Sequence, residues 1–261
     1  MNTTQQDNAM TRIACAHVTL AMSIALLLTA CGGSGAPDKA TPVLVSPPPS
    51  VSVPTVGSGT WVVMGSSTAA GAGASSGKGW VSLMQVAYAT RGVQVANIAQ
   101  GGTVTYEGLS ASSAPVGARP APNPSLNIDQ ALARKPVLLI VSYPTNDTAR
   151  GYSVDETVNN LLAIRSQALA AGVPVLVTST QPRNLTDTQL ATLRAIDTRL
   201  AASVGPCFVE VRQILADAGG RLATTFDSGD NVHPNDAGHE RIYAGIQTAI
   251  DSGRCIKLLV E

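Results

Sequence analysis

Pro136-Val137-Leu138-Leu139-Ile140-Val141 is the stretch on which the fold turns. A strand with one wet face alternates apolar and polar side chains. This run does not alternate: it is apolar throughout, which predicts a central strand of a parallel sheet covered on both faces.

The pattern continues on either side. Upstream, Trp61-Val62-Val63-Met64 is a short apolar run ending in small residues, a buried strand followed by a turn. Trp80 to Thr90 has helical spacing, and Val93-Gln94-Val95-Ala96-Asn97-Ile98 reads as a second strand. Thr103 to Asn127 is rich in Pro, Ser and Gly and predicts a long loop, the kind that forms lids and binding walls. Ile128 to Arg134 is a short helix. Downstream, Val154 to Ala171 is a helix stopped by Gly172, Val173 to Thr178 a strand, Thr188 to Ser203 a helix and Cys207 to Val211 a strand. Asn235 to Ile250 is the last helix, with Asn235 or Asp236 as its N-cap. Alternating strands and helices predict a three-layer α/β/α sandwich on a mainly parallel five-stranded sheet. Ligands bind such sheets at the carboxyl ends of the strands.

Composition narrows the function. The chain has 261 residues, 44% hydrophobic, 13% charged and 3% aromatic, with a formal net charge of zero. That suits a globular core, and the lack of clustered Lys and Arg argues against nucleic acid as a partner.

The N-terminus reads as export machinery. Arg12 precedes the uncharged apolar stretch Val18 to Leu28, which is short for a membrane span and ends in Leu28-Thr29-Ala30-Cys31. This resembles a bacterial lipoprotein signal: residues 1–30 are removed and Cys31 carries the lipid anchor. The other reading is a plain secretory peptide with a chance Cys. Residues 31–59, including Pro47-Pro48-Pro49, form a flexible Gly/Ser/Pro linker, residues 60–253 the folded domain and residues 254–261 a tail. Cys207 and Cys255 then remain as an even pair in an oxidising compartment. A disulfide between them is expected, two buried free thiols being the alternative.

The chemistry-bearing residues follow the strands. In Asp230-Asn231-Val232-His233-Pro234 a carboxylate three residues before a histidine can hold one ring nitrogen and leave the other to take a proton. Gly65-Ser66-Ser67-Thr68 follows the first strand, where a hydroxyl and a backbone N–H are both offered. Gly101-Gly102 follows the second strand, and Asn146 follows the strongest one, where its amide can donate to an oxyanion. Taken singly, each is also an ordinary turn.

In chain order, Ser, then Gly, then Asn, then Asp-x-x-His, they resemble the SGNH hydrolase superfamily, the GDSL-type esterases and lipases. The resemblance spans about Thr60 to Ser252. It places the nucleophile at Ser67, the base and its orienter at His233 and Asp230, and the oxyanion hole at the Ser67 and Gly102 N–H groups and the Asn146 side chain. Two positions depart from the pattern: Ser66 stands where the family has Asp, and Pro144 where it has Gly.

The α/β-hydrolase fold is set aside because Ala69 occupies the last glycine of G-x-S-x-G. A metal site is weak, since His233 and His239 are six residues apart with no third ligand at a recognisable spacing. His239 reads as structural. The expected activity is hydrolysis of a short-chain acyl or acetyl ester, on a small molecule or a glycan, with no cofactor. The expected location is the bacterial cell envelope, lipid-anchored at the outer membrane. The alternatives are a lysophospholipase or acyltransferase using the same residues, and a non-catalytic glycan-binding surface module.

Overall fold

A computed structural model of the chain describes residues 52–143, 145–179 and 181–259. The predicted signal segment, Cys31, most of the linker and Pro144 lie outside them.

The sheet has five strands: β2 (Gly59–Gly65), β3 (Val93–Asn97), β4 (Leu138–Ser142), β5 (Val175–Thr178) and β6 (Phe208–Val209). Their spatial order is β3-β2-β4-β5-β6, and every neighbouring pair is parallel. The predicted α/β sandwich is therefore the fold. All five residues of β4 are buried, and its side chains divide by parity, as the pleat requires. Leu138 and Ile140 pack with Trp61, Val63, Trp80, Met84 and Ile246, the layer of α1 (Trp80–Ala89) and α6 (Asp236–Asp251). Leu139 and Val141 pack with Val62, Met64, Leu161, Ile164 and Ile196, the opposite layer. Its helices are α2 (Ile128–Ala133), α4 (Val154–Ala170) and α5 (Asp187–Val204). A four-residue helix, α3 (Asn146–Ala149), follows β4.

Helix starts are set by side-chain caps. Ser153 and Glu156 close a capping box on α4, and Thr186 with Gln189 does so on α5. Of the two residues expected to cap the last helix, Asn235 does so, accepting from Gly238 N at 3.1 Å.

The chain enters by β2, steps to β3 on one side, then returns to β4 on the other. The order of connection thus reverses between β2 and β4, and the carboxyl ends beside such a reversal are where these sheets bind ligands. Those ends are in register at Gly65 and Ser142. A Cβ at Gly65 would lie 2.2 Å from the Ser142 carbonyl oxygen, so only glycine lets the strands end this closely.

Three segments differ from expectation. The strand expected over Cys207–Val211 is only Phe208–Val209. The Ser179 hydroxyl accepts from the N–H groups of Val211 (2.7 Å) and Arg212 (2.9 Å), which diverts the chain from the ladder. The 103–127 stretch contains a turn of 3₁₀-helix, Thr105–Gly108. It is tied down by Asp129, which accepts from Ala111 N at 2.7 Å, and by an Arg119–Glu156 ion pair at 2.7 Å. The domain also extends past residues 60–253: β1 (Thr55–Val56) pairs in parallel with β7 (Lys257–Leu258). Cys207 and Cys255 are joined, with Cα atoms 4.8 Å apart.

Candidate active site

β2 ends at Gly65, and Ser66, Ser67 and Thr68 turn out of the sheet. The turn is closed by Ala70 N donating to Ser66 O and Ala72 N to Ser67 O, both 2.9 Å. The Ser67 hydroxyl projects toward the loop that leads into α6, and its Oγ lies 2.9 Å from His233 Nε2. On the far side of the ring, Nδ1 is 2.6 Å from Asp230 Oδ2. A carboxylate only accepts, so Nδ1 carries the proton there. In the neutral ring Nε2 then accepts from the Ser67 hydroxyl.

The Asp230 turn is built to hold that geometry. Asp230 Oδ1 accepts from Val232 N (2.9 Å) and His233 N (2.8 Å), and Asp227 Oδ1 accepts from Gly229 N (2.9 Å) and Asn231 N (3.0 Å). Partial burial disfavours the Asp230 charge, but these N–H groups and the imidazole outweigh it and hold the carboxyl well below its usual range. It stays ionised whenever the histidine works as a base.

The serine loop and the histidine loop touch backbone to backbone at Gly73. A Cβ there would lie 2.3 Å from the Pro234 carbonyl oxygen and 2.8 Å from His233 Cβ, and its φ is +89°. Glycine is required on both counts. His239 completes the clamp from α6: its Nδ1 accepts from Trp80 N at 3.2 Å and its Nε2 donates to Ala72 O at 3.0 Å. It is fully buried, and burial pushes its pKa down, so the imidazole is neutral and structural.

The opposite wall is made by residues 100–105 and α3. A Cβ at Gly101 would lie 3.8 Å from the Ser67 Cβ, so this turn passes directly over the serine. The Gly102 carbonyl accepts from Arg150 Nη2 at 2.8 Å, and Thr103 Oγ1 donates to Gln100 O at 2.9 Å. Asn146 Nδ2 donates to Thr103 O at 2.9 Å and to Ser66 Oγ at 2.8 Å. Ser66 is fully buried. The hydroxyl at the position where the family resemblance leads one to expect a carboxylate thus holds the amide of Asn146.

Beneath Asn146 sits a buried carboxylate. Asp147 accepts from the backbone N–H and the hydroxyl of Thr105, and Asn160 Nδ2 supports that hydroxyl from 3.0 Å. Burial raises the Asp147 pKa to about 6 against the pull of these hydrogen bonds.

Of the five residues singled out in the sequence, Ser67, His233 and Asp230 are joined by hydrogen bonds, Asn146 is bonded to Ser66 beside the serine, and Gly102 follows the Gly101 that passes over it. The reading of the sequence missed the supports: the hydroxyl of Ser66, the Arg150 bridge to Gly102, the Asp147–Thr105 pair and the Gln181–Asn184 loop. Only the last carried a signal, a Gln-Pro-Arg-Asn run directly after a strand. A cavity of about 630 Å³, lined by Trp61, Tyr88, Arg91 and Leu258 among others, lies instead by the β1–β7 pair.

The sequence profile of the GDSL-like Lipase/Acylhydrolase family matches residues 63–241. No curated protein sequence matches the chain. Among solved structures, TesA superposes with a TM-score of 0.58 at 21% identity, over 74% of this chain and 99% of its own. The psychrotrophic esterase EstA from Pseudoalteromonas sp. gives 0.56 at 18% identity, over 74% and 97%. The acetyl xylan esterase AlAXEase gives 0.56 at 17% identity, over 73% and 99%. These likenesses establish the shared fold.

Proposed function

The chain belongs to the GDSL-like lipase/acylhydrolase family, and from that premise we propose that it is a serine esterase using Ser67, His233 and Asp230. The observation that carries this reading is the unbroken relay from Ser67 Oγ to His233 Nε2 (2.9 Å) and from Nδ1 to Asp230 Oδ2 (2.6 Å). His233 Nε2 takes the hydroxyl proton as Oγ bonds to the ester carbonyl carbon. The negative charge moves to the carbonyl oxygen, held by the N–H groups of Ser67 and Gly102 and by Asn146 Nδ2. For this, Asn146 exchanges its bond to Ser66 for one to the oxyanion. The tetrahedral intermediate collapses, the C–O bond to the alcohol breaks, and His233 delivers the proton to the leaving oxygen. Water attacks the acyl-serine by the same route and releases the acid.

Small acyl groups fit best. Ser66, Gly101, Asn146 and His233, the residues shown around the nucleophile, are small or polar and offer no wall for a long chain. Leu28-Thr29-Ala30-Cys31 and the Pro-rich linker support a lipid-anchored envelope protein acting on a small-molecule or glycan ester.

The test is labelling of the full-length protein with a fluorophosphonate probe and turnover of p-nitrophenyl acetate. Both are expected in wild type and absent in Ser67→Ala. A wild-type protein that neither labels nor turns over would overturn the reading.

A further inference from the structure

Among the described residues, Arg183 is a cation without a partner at the edge of the relay. It lies in the loop that leaves β5 at the carboxyl end of the sheet, and that loop is pinned to the catalytic turn. Gln181 Nε2 donates to Val232 O at 3.0 Å, Asn184 N to Asn231 O at 2.9 Å, and Asn184 Nδ2 to Asn231 Oδ1 at 2.7 Å. Arg183 sits between these anchors. Its Nε is buried and meets no acceptor, and no hydrogen bond or ion pair to its guanidinium forms among the described residues. The charge it faces is Asp230.

Why the two do not pair is visible in the turn. Asp230 Oδ1 is occupied by Val232 N and His233 N, with Ser228 Oγ at 3.3 Å, and Oδ2 by His233 Nδ1. The other nearby carboxylate, Asp227, is taken by Gly229 N and Asn231 N. A guanidinium has five N–H donors and is charged at every relevant pH. Half-buried and unsatisfied, it is costly unless something else supplies the acceptors. His233 protonates the departing alcohol, so the alcohol portion of an ester lies on the imidazole side, where the Arg183 loop is anchored.

We infer that Arg183 is a specificity residue that receives a carboxylate or phosphate carried on the alcohol portion of the substrate. The planar fork of the guanidinium matches either group with two parallel hydrogen bonds. The inference rests on the esterase reading and narrows it to esters of anionic alcohols.

The test compares three acetyl esters with full-length protein in a neutral detergent: 4-acetoxybenzoate, its uncharged isostere 4-acetoxybenzamide, and 4-acetoxyphenyl phosphate. In wild type, kcat/KM for at least one anionic ester exceeds that for the amide by about tenfold, equivalent to about 1.4 kcal/mol. Which anion gains more separates carboxylate from phosphate. In Arg183→Gln the ratio falls to about one, and in Arg183→Lys, which keeps the charge and loses the fork, it is intermediate. A wild-type ratio of one, or a ratio that survives in Arg183→Gln, overturns the inference. So does an equal loss on all three esters, which would mean that Arg183 acts only through Asp230. If no ester is turned over, the esterase reading fails separately and binding decides. Saturation-transfer NMR of the Ser67→Ala protein should then show 4-hydroxybenzoate bound over 4-hydroxybenzamide, with the preference lost on adding Arg183→Gln. Equal binding of the two overturns it.

Discussion

The side-chain nitrogen of Asn146 donates to the Ser66 hydroxyl across 2.8 Å, next to the serine proposed as nucleophile. Its second proton goes to Thr103 O at 2.9 Å, so the amide is aimed before any substrate arrives. Asn146→Ala should lower kcat by about 10²–10³-fold with little change in KM. Ser66→Ala should stay within about tenfold of wild type, because the Thr103 carbonyl still orients the amide. Steady-state kinetics on p-nitrophenyl acetate check both. Equal losses in the two variants would put Ser66 itself in the chemistry.

Asp230 fixes the proton on His233 Nδ1. Asp230→Asn should cost kcat up to about 10⁴-fold, since an amide can donate to Nδ1 and favour the wrong tautomer. The amide oxygen can still accept from Val232 N and His233 N, so the turn should hold, and thermal unfolding recorded alongside checks that it does. A variant with wild-type kcat removes Asp230 from the relay.

Asp147 makes stability depend on pH in the direction opposite to most carboxylates. Its pKa is raised by burial from 3.8 to about 6 in the folded chain. The contribution of the protonated form is present below the unfolded value and is lost as the pH rises to and through about 6. Asp147→Asn does not titrate there. The Tm difference, variant minus wild type, should therefore grow between about pH 4.5 and 7.5. Differential scanning calorimetry at the two pH values decides it, and a constant difference refutes it.

The Cys207–Cys255 bridge closes a sequence separation of 48 residues. Chain-entropy arguments put its contribution at about 2–4 kcal/mol. Cys255→Ser should lower the Tm by several degrees, and wild type should show no reactive thiol at these positions under denaturing conditions. Two titratable thiols there would establish the reduced form.

The proposed anchor has its own test. Cys31→Ser should move the protein from the membrane fraction to the soluble fraction of the envelope and abolish incorporation of labelled fatty acid. A soluble, unlabelled wild type would leave the N-terminus a plain secretory signal.

What the sequence revealed depended on how local the cause was. The run 137–141 announces a buried strand because both faces of five consecutive residues are apolar. Asp230 and His233 declare themselves because three residues of turn suffice to join them. Ser67, Gly102 and Asn146 became legible as a set, each following a strand. The β1–β7 pair was not legible: two residues at each end of the domain carry no periodicity. The same holds for the Ser66–Asn146 bond, whose partners are 80 residues apart. The early end of β6 is due to the hydroxyl of Ser179, just past the end of β5 and 32 residues from Val211. Arg183 resembles any surface arginine until the turn beside it is seen to have used up its own carboxylates.

Pairing Thr55–Val56 with Lys257–Leu258 makes the ends of the domain neighbours, at the amino edge of β2. The seven residues of β2 then separate that pole from Ser67 by roughly 20 Å. A partner joined directly at Thr55 or Leu258, an immobilising surface for instance, would therefore meet the domain at the pole opposite the Ser67 turn. The same adjacency makes the chain a natural subject for circular permutation: a short bridge could join the old ends, and new ones could be opened in a surface loop.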